Sequence, residues 1–330
     1  MKQMWKEITI AAIFGLALPS VLLSLAVRAQ EQSPKPIASL SSSAATMEHT
    51  GTDSLEEQLE IVVLQGENRT RMNMEDYLLG VLLAEMPVSF EPEAHKAQAV
   101  VARTYALKQS VPNGKHDGGV CTNSACCQGY LSKEEFLKKG GKLENLDRVA
   151  AAVAATGDLV LTYEGKLIDA TYFSCSGGST EDALAVWGTD IPYLQATDSP
   201  GEEYAAHYTD TVWFSKGEFL EALGLDASGL PAQWLGQVNR TDGGGVETME
   251  ICGVIYQGTI LRKLLGLRST AFTMESDGET IKITTRGYGH RVGMSQYGAD
   301  AMAASGVSFE EILRHYYQGT VLTEYSGQNN

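Results

Sequence analysis

One glutamate in this sequence occupies a position where its side chain could serve as an acid. Glu85 stands near the carboxyl end of an apolar segment, residues 81–87, that closes with Pro87. Two effects there oppose ionisation of the carboxyl group: desolvation by Leu82 and Met86, and the negative end of a helix dipole. A carboxyl group that stays protonated near pH 7 can act as a general acid. The alternative is an ordinary solvated glutamate at a helix end.

Two cations follow Glu85 at a spacing that places them on one side of a helix. Lys96 and Arg103 are seven residues apart, which is close to two helical turns. A turn at Pro87 would fold their helix back and bring both cations towards the acid. Such a grouping suits a substrate rich in oxygen atoms. Taken alone, a face of this kind is usually exposed to solvent.

Three of the five cysteines fall within seven residues, and a histidine precedes them. His116 lies five residues before Cys121, and Cys126 and Cys127 follow. Outside the cytoplasm cysteines usually pair as disulfides. An odd number of cysteines, two of them adjacent, does not divide into a simple set of disulfide pairs. Thiolates with a nearby imidazole suit tetrahedral Zn²⁺, although the spacing matches no standard zinc finger. Disulfides and a zinc site both remain open on these residues.

Helices and strands are interspersed along the part of the chain that must position these groups. The apolar spacing predicts a helix from residue 74 or 75 to 86, stopped by Pro87, and a second helix at residues 93–109. Further helices are predicted at residues 147–155, 216–223, 258–265, 296–304 and 309–317, and strands at residues 60–65, 159–163, 167–173, 247–254 and 280–285. Because there is no regular βαβ alternation, we expect an α+β fold, mixed around a substrate cleft, in one or two lobes.

The first thirty residues precede this fold. Residues 8–27 carry no charge and follow Lys2 and Lys6. Twenty residues at about 1.5 Å each span about 30 Å, the thickness of a bilayer's hydrocarbon core. We expect a transmembrane anchor at residues 1–29 with its lysine-bearing end in the cytoplasm, so that the rest of the chain faces outward. A cleaved signal peptide is the alternative. A flexible linker at residues 30–57 and a folded domain at residues 58–325 follow.

The charge balance excludes one class of partner. The chain has 330 residues, with 25 Lys and Arg against 41 Asp and Glu, so its formal net charge is −16 at pH 7. Such a surface repels nucleic acid, and we expect no nucleic-acid partner. A hydrophobic content of 43% is that of an ordinary folded protein.

Two glycine-containing loops are candidates for lining a binding site. Ser176 lies in Ser174-Cys-Ser-Gly-Gly, which lacks the form of a nucleophile elbow and is more typical of a loop that approaches a substrate closely. His290 lies in a glycine-spaced segment, residues 287–298, that matches no phosphate-binding loop. It either faces the cleft or makes a structural hydrogen bond. The aromatic residues that either stack on a ring of a ligand or lie in the core are Trp187, Tyr193 and Tyr288.

Several segments, in this order along the chain, resemble the stage II sporulation protein D family. The first is Leu83-Ala-Glu-Met-Pro, followed by Phe90-Glu-Pro-Glu-Ala-His-Lys-Ala-Gln-Ala-Val-Val-Ala-Arg-Thr-Tyr-Ala. The next are Cys121 to Cys127-Gln-Gly-Tyr, Ser174-Cys-Ser-Gly-Gly-Ser-Thr-Glu, and Val186-Trp-Gly with Pro192-Tyr-Leu. The last is Gly289-His-Arg-Val-Gly-Met-Ser-Gln-Tyr-Gly-Ala, in which the family usually has Gly in place of Arg291. Together they cover residues 60 to 320.

The resemblance implies a membrane-anchored lytic transglycosylase that cuts peptidoglycan during engulfment of the forespore. Glu85 would protonate the leaving glycosidic oxygen and leave a 1,6-anhydro end on muramic acid. Lys96 and Arg103 match family positions linked to activity and are expected to hold oxygen atoms of the glycan. The further substrate contacts that we expect are Ser176, Tyr193, His290 and Gln296.

Cofactor, partners and location also follow from the resemblance. Some members of the family bind zinc through a comparable loop, and Cys121 and Cys127 match its paired cysteines; Cys126 or His116 would supply a further ligand. We expect the metal to brace the loop rather than to act in catalysis. The substrate would be glycan stripped of its stem peptides by stage II sporulation protein P, with protein M as a third partner. The domain would face the intermembrane space from the mother cell's engulfing membrane.

Two other functions remain as alternatives. The first is a non-catalytic amidase enhancer or wall-binding module, because related domains occur in such proteins. The second is a zinc-dependent wall hydrolase that uses the cysteine and histidine cluster, although the sequence has no His-Glu-x-x-His motif.

Overall fold

The computed structural model describes residues 59–225 and 234–327. The anchor predicted at residues 1–29 and the linker predicted at residues 30–57 lie outside these residues. Within them, no helix combines the length and the apolar character needed to cross a bilayer. Helices and strands alternate irregularly, and this confirms the predicted α+β class.

The helices of the described residues are mostly short. In chain order they are α1 (Met74–Glu85), α2 (Pro92–Gln109), α3 (Lys133–Lys138), α4 (Leu143–Ala154), α5 (Ala183–Trp187), α6 (Lys216–Leu223), α7 (Gly258–Leu264), α8 (Gln296–Ala304) and α9 (Phe309–Tyr316). The strands are β1 (Glu60–Gln65), β2 (Asn68–Asn73), β3 (Val120–Cys121), β4 (Leu159–Tyr163), β5 (Lys166–Leu167), β6 (Tyr172–Phe173), β7 (Thr209–Ser215), β8 (Leu235–Arg240), β9 (Val246–Ile251), β10 (Val254–Gln257), β11 (Phe272–Ser276), β12 (Thr280–Arg286), β13 (Met294–Ser295) and β14 (Val321–Glu324).

The strands pair in several small sheets. Their orders are β2-β1-β3, β14-β4-β5, β13-β6, β11-β12-β7 and β10-β9-β8. The single strand predicted at residues 167–173 is wrong, because its two ends belong to different sheets. β5 returns as a hairpin against β4, whereas β6 pairs in parallel with β13 from the carboxyl-terminal part of the chain.

The first two helices fix the position of the candidate acid. The side chain of Asn73 caps α1 by accepting from the backbone N–H of Glu75 at 2.8 Å. The helix ends at Glu85 because Met86 is extended, as the residue before a proline prefers. Pro92 opens α2 in its first turn, where its missing N–H would have no partner in any case. Both observed helices agree with their predicted bounds to within one residue.

Helix α2 lies at the centre of the interior. One apolar cluster packs it against α8 and α9, and a second packs it against α1 and α4. The cluster members that α2 supplies are mostly alanines, whose small side chains allow neighbouring helices to approach from several sides. A third apolar cluster lies between strands β7 to β12 and helices α6 and α7. These elements span residues 209–225 and 234–286, which we call the inserted lobe. The inserted lobe therefore has a core of its own.

Candidate active site and metal-ligand cluster

Glu85 is the last residue of α1, and it lies at the edge of the apolar interior. Its side chain is partly buried, while its neighbours Ala84 and Pro87 are exposed, so one side of the carboxyl group lies near the surface. The backbone N–H of Gly129 donates to Oε1 of Glu85 at an N···O distance of 2.5 Å. A Cβ atom at residue 129 would lie only 2.8 Å from that oxygen, so glycine is required for this approach.

Burial raises the pKa of the Glu85 carboxyl group above its ordinary value. Hydrogen bonds from the Gly129 N–H and the Tyr172 hydroxyl act in the opposite direction and limit the rise. The single hydroxyl proton of Tyr172 can go either to Glu85 or to Oε1 of Gln128, which lies 3.2 Å from the hydroxyl oxygen, and the Gln128 amide donates to the Tyr77 hydroxyl at 3.0 Å. An ordered polar network therefore holds the partly buried acid.

The two predicted cations are not partners of Glu85 in this structure. Lys96 forms an ion pair with Glu93 at 2.6 Å and lies 5.9 Å from the ring centroid of Phe309. Arg103 is only 1% exposed. Its guanidinium donates to the carbonyl of Leu159 at 3.0 Å and to the hydroxyl of Thr156 at 3.1 Å. The predicted contacts of Lys96 and Arg103 with substrate stay predictions, and the buried position of Arg103 gives no support to a direct one.

Three of the other predicted substrate contacts lie in the interior. The Ser176 hydroxyl donates to Oε1 of Glu202 at 2.8 Å, and Ser176 is fully buried. The Tyr193 hydroxyl donates to Asp169 at 3.3 Å. Gln296 is 5% exposed, and its Nε2 has no hydrogen-bond partner among the described residues. These positions favour structural roles for Ser176 and Tyr193, while Gln296 keeps an unused donor.

His290, the fourth of these residues, lies between two aromatic side chains. Its ring centroid is 5.6 Å from that of Phe173 and 5.5 Å from that of Trp187. Its Nδ1 accepts from the backbone N–H of Val292 at 3.1 Å, and burial lowers the pKa of the imidazole to about 4. His290 is therefore neutral at pH 7. It combines the two alternatives drawn from the sequence, because it makes a structural hydrogen bond and borders exposed Trp187.

The predicted metal ligands come together. The candidate ligand atoms of His116, Cys121, Cys126 and Cys127 all lie within 4.8 Å of one another. Strand β3 positions Cys121 by pairing in parallel with β1, and the following turn brings the adjacent Cys126 and Cys127 back beside it. The Nε2 atom of His116 lies 3.2 Å from Sγ of Cys126. All five cysteines of the chain are free in this structure.

Two of these thiols have opposite electrostatic surroundings. Lys115 beside Cys126 lowers the pKa of that thiol to about 6, whereas burial raises the pKa of Cys127 to about 12. A cation such as Zn²⁺ would remove this difference, because it binds and stabilises thiolates. Cys127 is followed directly by Gln128 and Gly129, so the cluster adjoins the segment that holds Glu85.

The sequence analysis missed a buried ion pair that joins distant loops. Arg291 and Glu181 are 2% and 1% exposed, with an N···O distance of 2.9 Å. The guanidinium of Arg291 also donates to the carbonyls of Ser176, Ser179 and Gly243, each at 2.7 Å. Arg291 has a φ of +69°, a left-handed conformation that favours glycine. The resembled family usually has Gly at this position. The presence of Arg instead of Gly is the sequence signal that points to the ion pair.

Comparisons with known proteins agree with the resemblance. The SpoIID family model, described as stage II sporulation protein, matches residues 66–163. Stage II sporulation protein D of Bacillus amyloliquefaciens is 43% identical over 257 residues, covering 76% of this chain and 74% of that protein. The protein of the same name from Bacillus subtilis (strain 168) is 40% identical with the same coverage. The amidase enhancer of Bacillus subtilis (strain 168) is 30% identical over 306 residues, covering 75% of this chain and 40% of that protein.

Proposed function

Because the chain belongs to the stage II sporulation protein D family, we propose that it is a lytic transglycosylase that cuts the glycan strands of peptidoglycan. The observation that carries this proposal is the partly buried carboxyl group of Glu85, whose pKa is raised by desolvation. Such a group holds a proton at higher pH than an ordinary glutamate and can donate it to a glycosidic oxygen.

The proposed reaction needs one carboxyl group, because the substrate supplies the nucleophile. Glu85 donates its proton to the oxygen that joins muramic C1 to the next N-acetylglucosamine, and the C1–O bond breaks. The 6-hydroxyl of the same muramic residue forms the new bond to C1, and its proton returns to the Glu85 carboxylate. The product has a 1,6-anhydro end, and no water is consumed. Ordinary glycosidases use a second carboxyl group, either as the base that activates a water or as the nucleophile.

The surroundings of Glu85 suit both halves of this proton transfer. Desolvation favours the protonated acid before the bond breaks. The Gly129 N–H and the Tyr172 hydroxyl stabilise the carboxylate that exists until the second proton arrives. The same side chain can therefore give up a proton and take one back without moving.

The four clustered residues fit Zn²⁺. Zinc binds sulfur at about 2.3 Å, so two sulfur ligands of a tetrahedral site are about 3.8 Å apart. The candidate ligand atoms of His116, Cys121, Cys126 and Cys127 lie within 4.8 Å of one another, close to that arrangement. Four protein ligands leave no open position, which is typical of structural zinc and does not favour a zinc hydrolase. When bound, Zn²⁺ would cross-link the loop that leads into Gln128 and Gly129.

Metal analysis of the purified full chain tests the zinc proposal. We expect one zinc per chain in the wild type and a loss of most of it in Cys127→Ser. Cys252→Ser is the matched control, because Cys252 lies in a turn of the inserted lobe and is free. Equal zinc content in the two variants would contradict the ligand set.

Membrane attachment and partners are also part of the proposal. Residues 8–27 would anchor the chain in the cell membrane with the domain outside the cytoplasm, and proteins P and M of stage II sporulation would act with it. Cell fractionation checks the first part: the full chain should sediment with membranes, and a chain without residues 1–29 should not.

Product analysis separates the proposed activity from its alternatives. Glycan freed of stem peptides is incubated with the full chain, and the products are identified by mass spectrometry. We expect fragments with 1,6-anhydro-muramic ends. Hydrated reducing ends would show a hydrolase, and uncut glycan would contradict the enzymatic proposal.

A non-catalytic enhancer is the second candidate, because a relative at 30% identity is an amidase enhancer. On this alternative the chain leaves glycan intact and increases the release of stem peptides by an added amidase. An assay of that amidase with and without the chain distinguishes the two.

A further inference from the structure

A cleft of about 760 Å³ lies between α5 and the inserted lobe. Leu184 and Trp187 of α5 contribute one wall, and residues 240–242 and 246–248 with Gln257 contribute the other. The volume lies in the range of about 300–1,000 Å³ that is usual for ligand-binding clefts. The catalytic proposal uses none of these side chains.

One wall of the cleft presents an aromatic surface. Trp187 is 43% exposed, although its indole contacts the ring of His290 at a centroid distance of 5.5 Å. Leu184, which is 57% exposed, extends the apolar surface on the same helix. An exposed indole beside polar groups can stack on the apolar face of a pyranose ring. This wall therefore suits a sugar better than an extended charged chain.

The opposite wall is rich in acceptors. Asp242, Glu247 and Gln257 are exposed and have no hydrogen-bond or ion-pair partner among the residues that the structure describes. The guanidinium of Arg240 already donates hydrogen bonds to the carbonyls of Gly244 at 2.9 Å and Phe272 at 3.0 Å. Unpaired carboxylates suit the hydroxyl and amide donors of a neutral sugar, and they repel a sugar that carries a carboxylate.

The two walls are held at a fixed separation. Glu181, just before α5, accepts from the Thr241 hydroxyl at 3.0 Å and from the Gly245 N–H at 2.9 Å in the opposite wall. Arg291 pairs with Glu181 and also donates to the Gly243 carbonyl. The cleft is therefore formed before any ligand arrives, which lowers the entropy cost of binding.

Contacts connect this cleft with the candidate acid. Trp187 touches His290, and the His290 ring is hydrogen-bonded to the backbone of Tyr172. The hydroxyl of Tyr172 in turn reaches Glu85. Trp187 and Glu85 are thus the two ends of one chain of side-chain contacts.

We infer that this cleft binds the neutral N-acetylglucosamine units of the glycan, with Trp187 as the stacking platform, and disfavours the muramic units because they carry a carboxylate. The inference rests on the proposed function for the identity of the polymer. In an alternating strand, such a preference fixes which bond lies opposite Glu85. The cleft then sets the register of the glycan strand relative to Glu85, and it takes no part in breaking the glycosidic bond.

Binding of tri-N-acetylchitotriose, the neutral probe, tests the inference by calorimetry on the full chain. Glu85→Gln serves as the background throughout, so that no probe is turned over. We expect Trp187→Ala to weaken binding about ten-fold, or about 1.4 kcal/mol. Trp213→Ala is the matched control, because Trp213 is 63% exposed on β7 outside the cleft, and it should leave the affinity unchanged. Equal affinities of the two variants would overturn the inference.

A second arm tests the charge preference with exposed residues that carry little risk to folding. The probe is a muramic-containing glycan fragment of the same length. Asp242→Asn combined with Glu247→Gln should increase its affinity several-fold, whereas the neutral probe should bind no more tightly than before, because an amide oxygen accepts more weakly than a carboxylate. No change for the muramic probe would overturn the selectivity. Failure of the catalytic proposal would appear elsewhere, as continued cleavage by Glu85→Gln.

Discussion

Two regions of this chain each remove a carboxyl group from water, Glu85 in one and Glu202 in the other. The two carboxyl groups differ in how many hydrogen bonds they accept. At the end of α1, Glu85 accepts from one backbone N–H and the Tyr172 hydroxyl, and it is only partly buried. Glu202 is fully buried and accepts five hydrogen bonds, from the backbone and hydroxyl of Ser176 and from Gly177, Ser199 and Cys175. The Glu202 carboxylate is fixed as a structural acceptor by its five donors, whereas Glu85 has fewer donors and a pKa that burial raises.

The scaffold around Glu202 continues into the ion pair of Glu181 and Arg291. The Arg291 guanidinium donates to the Ser176 carbonyl, and Ser176 in turn donates to Glu202. The loop that contains Ser176 is therefore fixed from both sides by buried charges. Such polar networks stiffen the loops that they join, although Oε2 of Glu181 is buried here without a hydrogen-bond partner among the described residues.

The largest expected effect is on catalysis. Glu85→Gln keeps the shape of the side chain and an acceptor for Gly129, but it removes the proton that the reaction transfers. Loss of a general acid typically costs about 10²- to 10⁴-fold in rate, and we expect a decrease in that range for the release of anhydro-muramic products. Glu67→Gln, the same change at an exposed position, should be neutral. Retained activity in Glu85→Gln would remove the acid from the proposed mechanism.

Breaking the buried ion pair is expected to have the next largest effect, on stability. Arg291→Ala leaves Glu181 as an uncompensated buried charge and removes donors from three carbonyls. We expect a loss of about 3–5 kcal/mol in the free energy of unfolding, measured with denaturant. Adding Glu181→Gln should recover part of it, because the unpaired charge is then gone. A double variant no more stable than Arg291→Ala would show that the charge is not the cause.

The same conservative change at Glu202 should destabilise the fold. In Glu202→Gln an NH₂ group replaces one of the two carboxylate oxygens. In the wild type, one of these oxygens accepts from the N–H groups of Ser176 and Gly177, and the other accepts from the two serine hydroxyls. Leaving such donors unpaired in the interior costs about 2–4 kcal/mol. Glu203→Gln, one residue further along and exposed, is the matched control and should stay within about 0.5 kcal/mol of the wild type in denaturant unfolding. Equal stability of the two variants would contradict the structural role of Glu202.

Local features of this chain could be predicted from the sequence. Apolar spacing and the prolines at 87 and 92 placed α1 and α2, because periodicity and proline act within a few residues. The His116 cluster could be predicted for the same reason, since its members are close along the chain. The sequence analysis overlooked α3, although Ser132 and Glu135 carry the spacing of a capping box.

Long-range partners could not be predicted. The spacing of Lys96 and Arg103 places them on one side of α2, but it does not reveal that α2 is surrounded by other helices, so that Arg103 faces the interior. The partners of Glu85 come from positions 129 and 172, and Glu181 pairs with a residue 110 positions away. Such contacts depend on how the elements pack, which no local pattern encodes.

The smallest expected effect has the opposite sign to that at Glu202. The folded state raises the pKa of Glu85, so it binds this proton more tightly than the unfolded chain does. The stability contributed by the proton is complete below the unfolded pKa of about 4.3 and is lost as pH rises through the raised folded pKa, at about 1.4 kcal/mol per unit of difference. Glu85→Gln, which does not ionise, escapes this loss. Its free energy of unfolding relative to the wild type should therefore rise above pH 4.3 and then level off, while the difference for Glu67→Gln stays flat. Denaturant unfolding of the three proteins from pH 4 to pH 8 measures this, and a Glu85→Gln variant less stable than the wild type at pH 7 would mean that the Glu85 carboxylate is stabilised in the folded state and is not a poised acid.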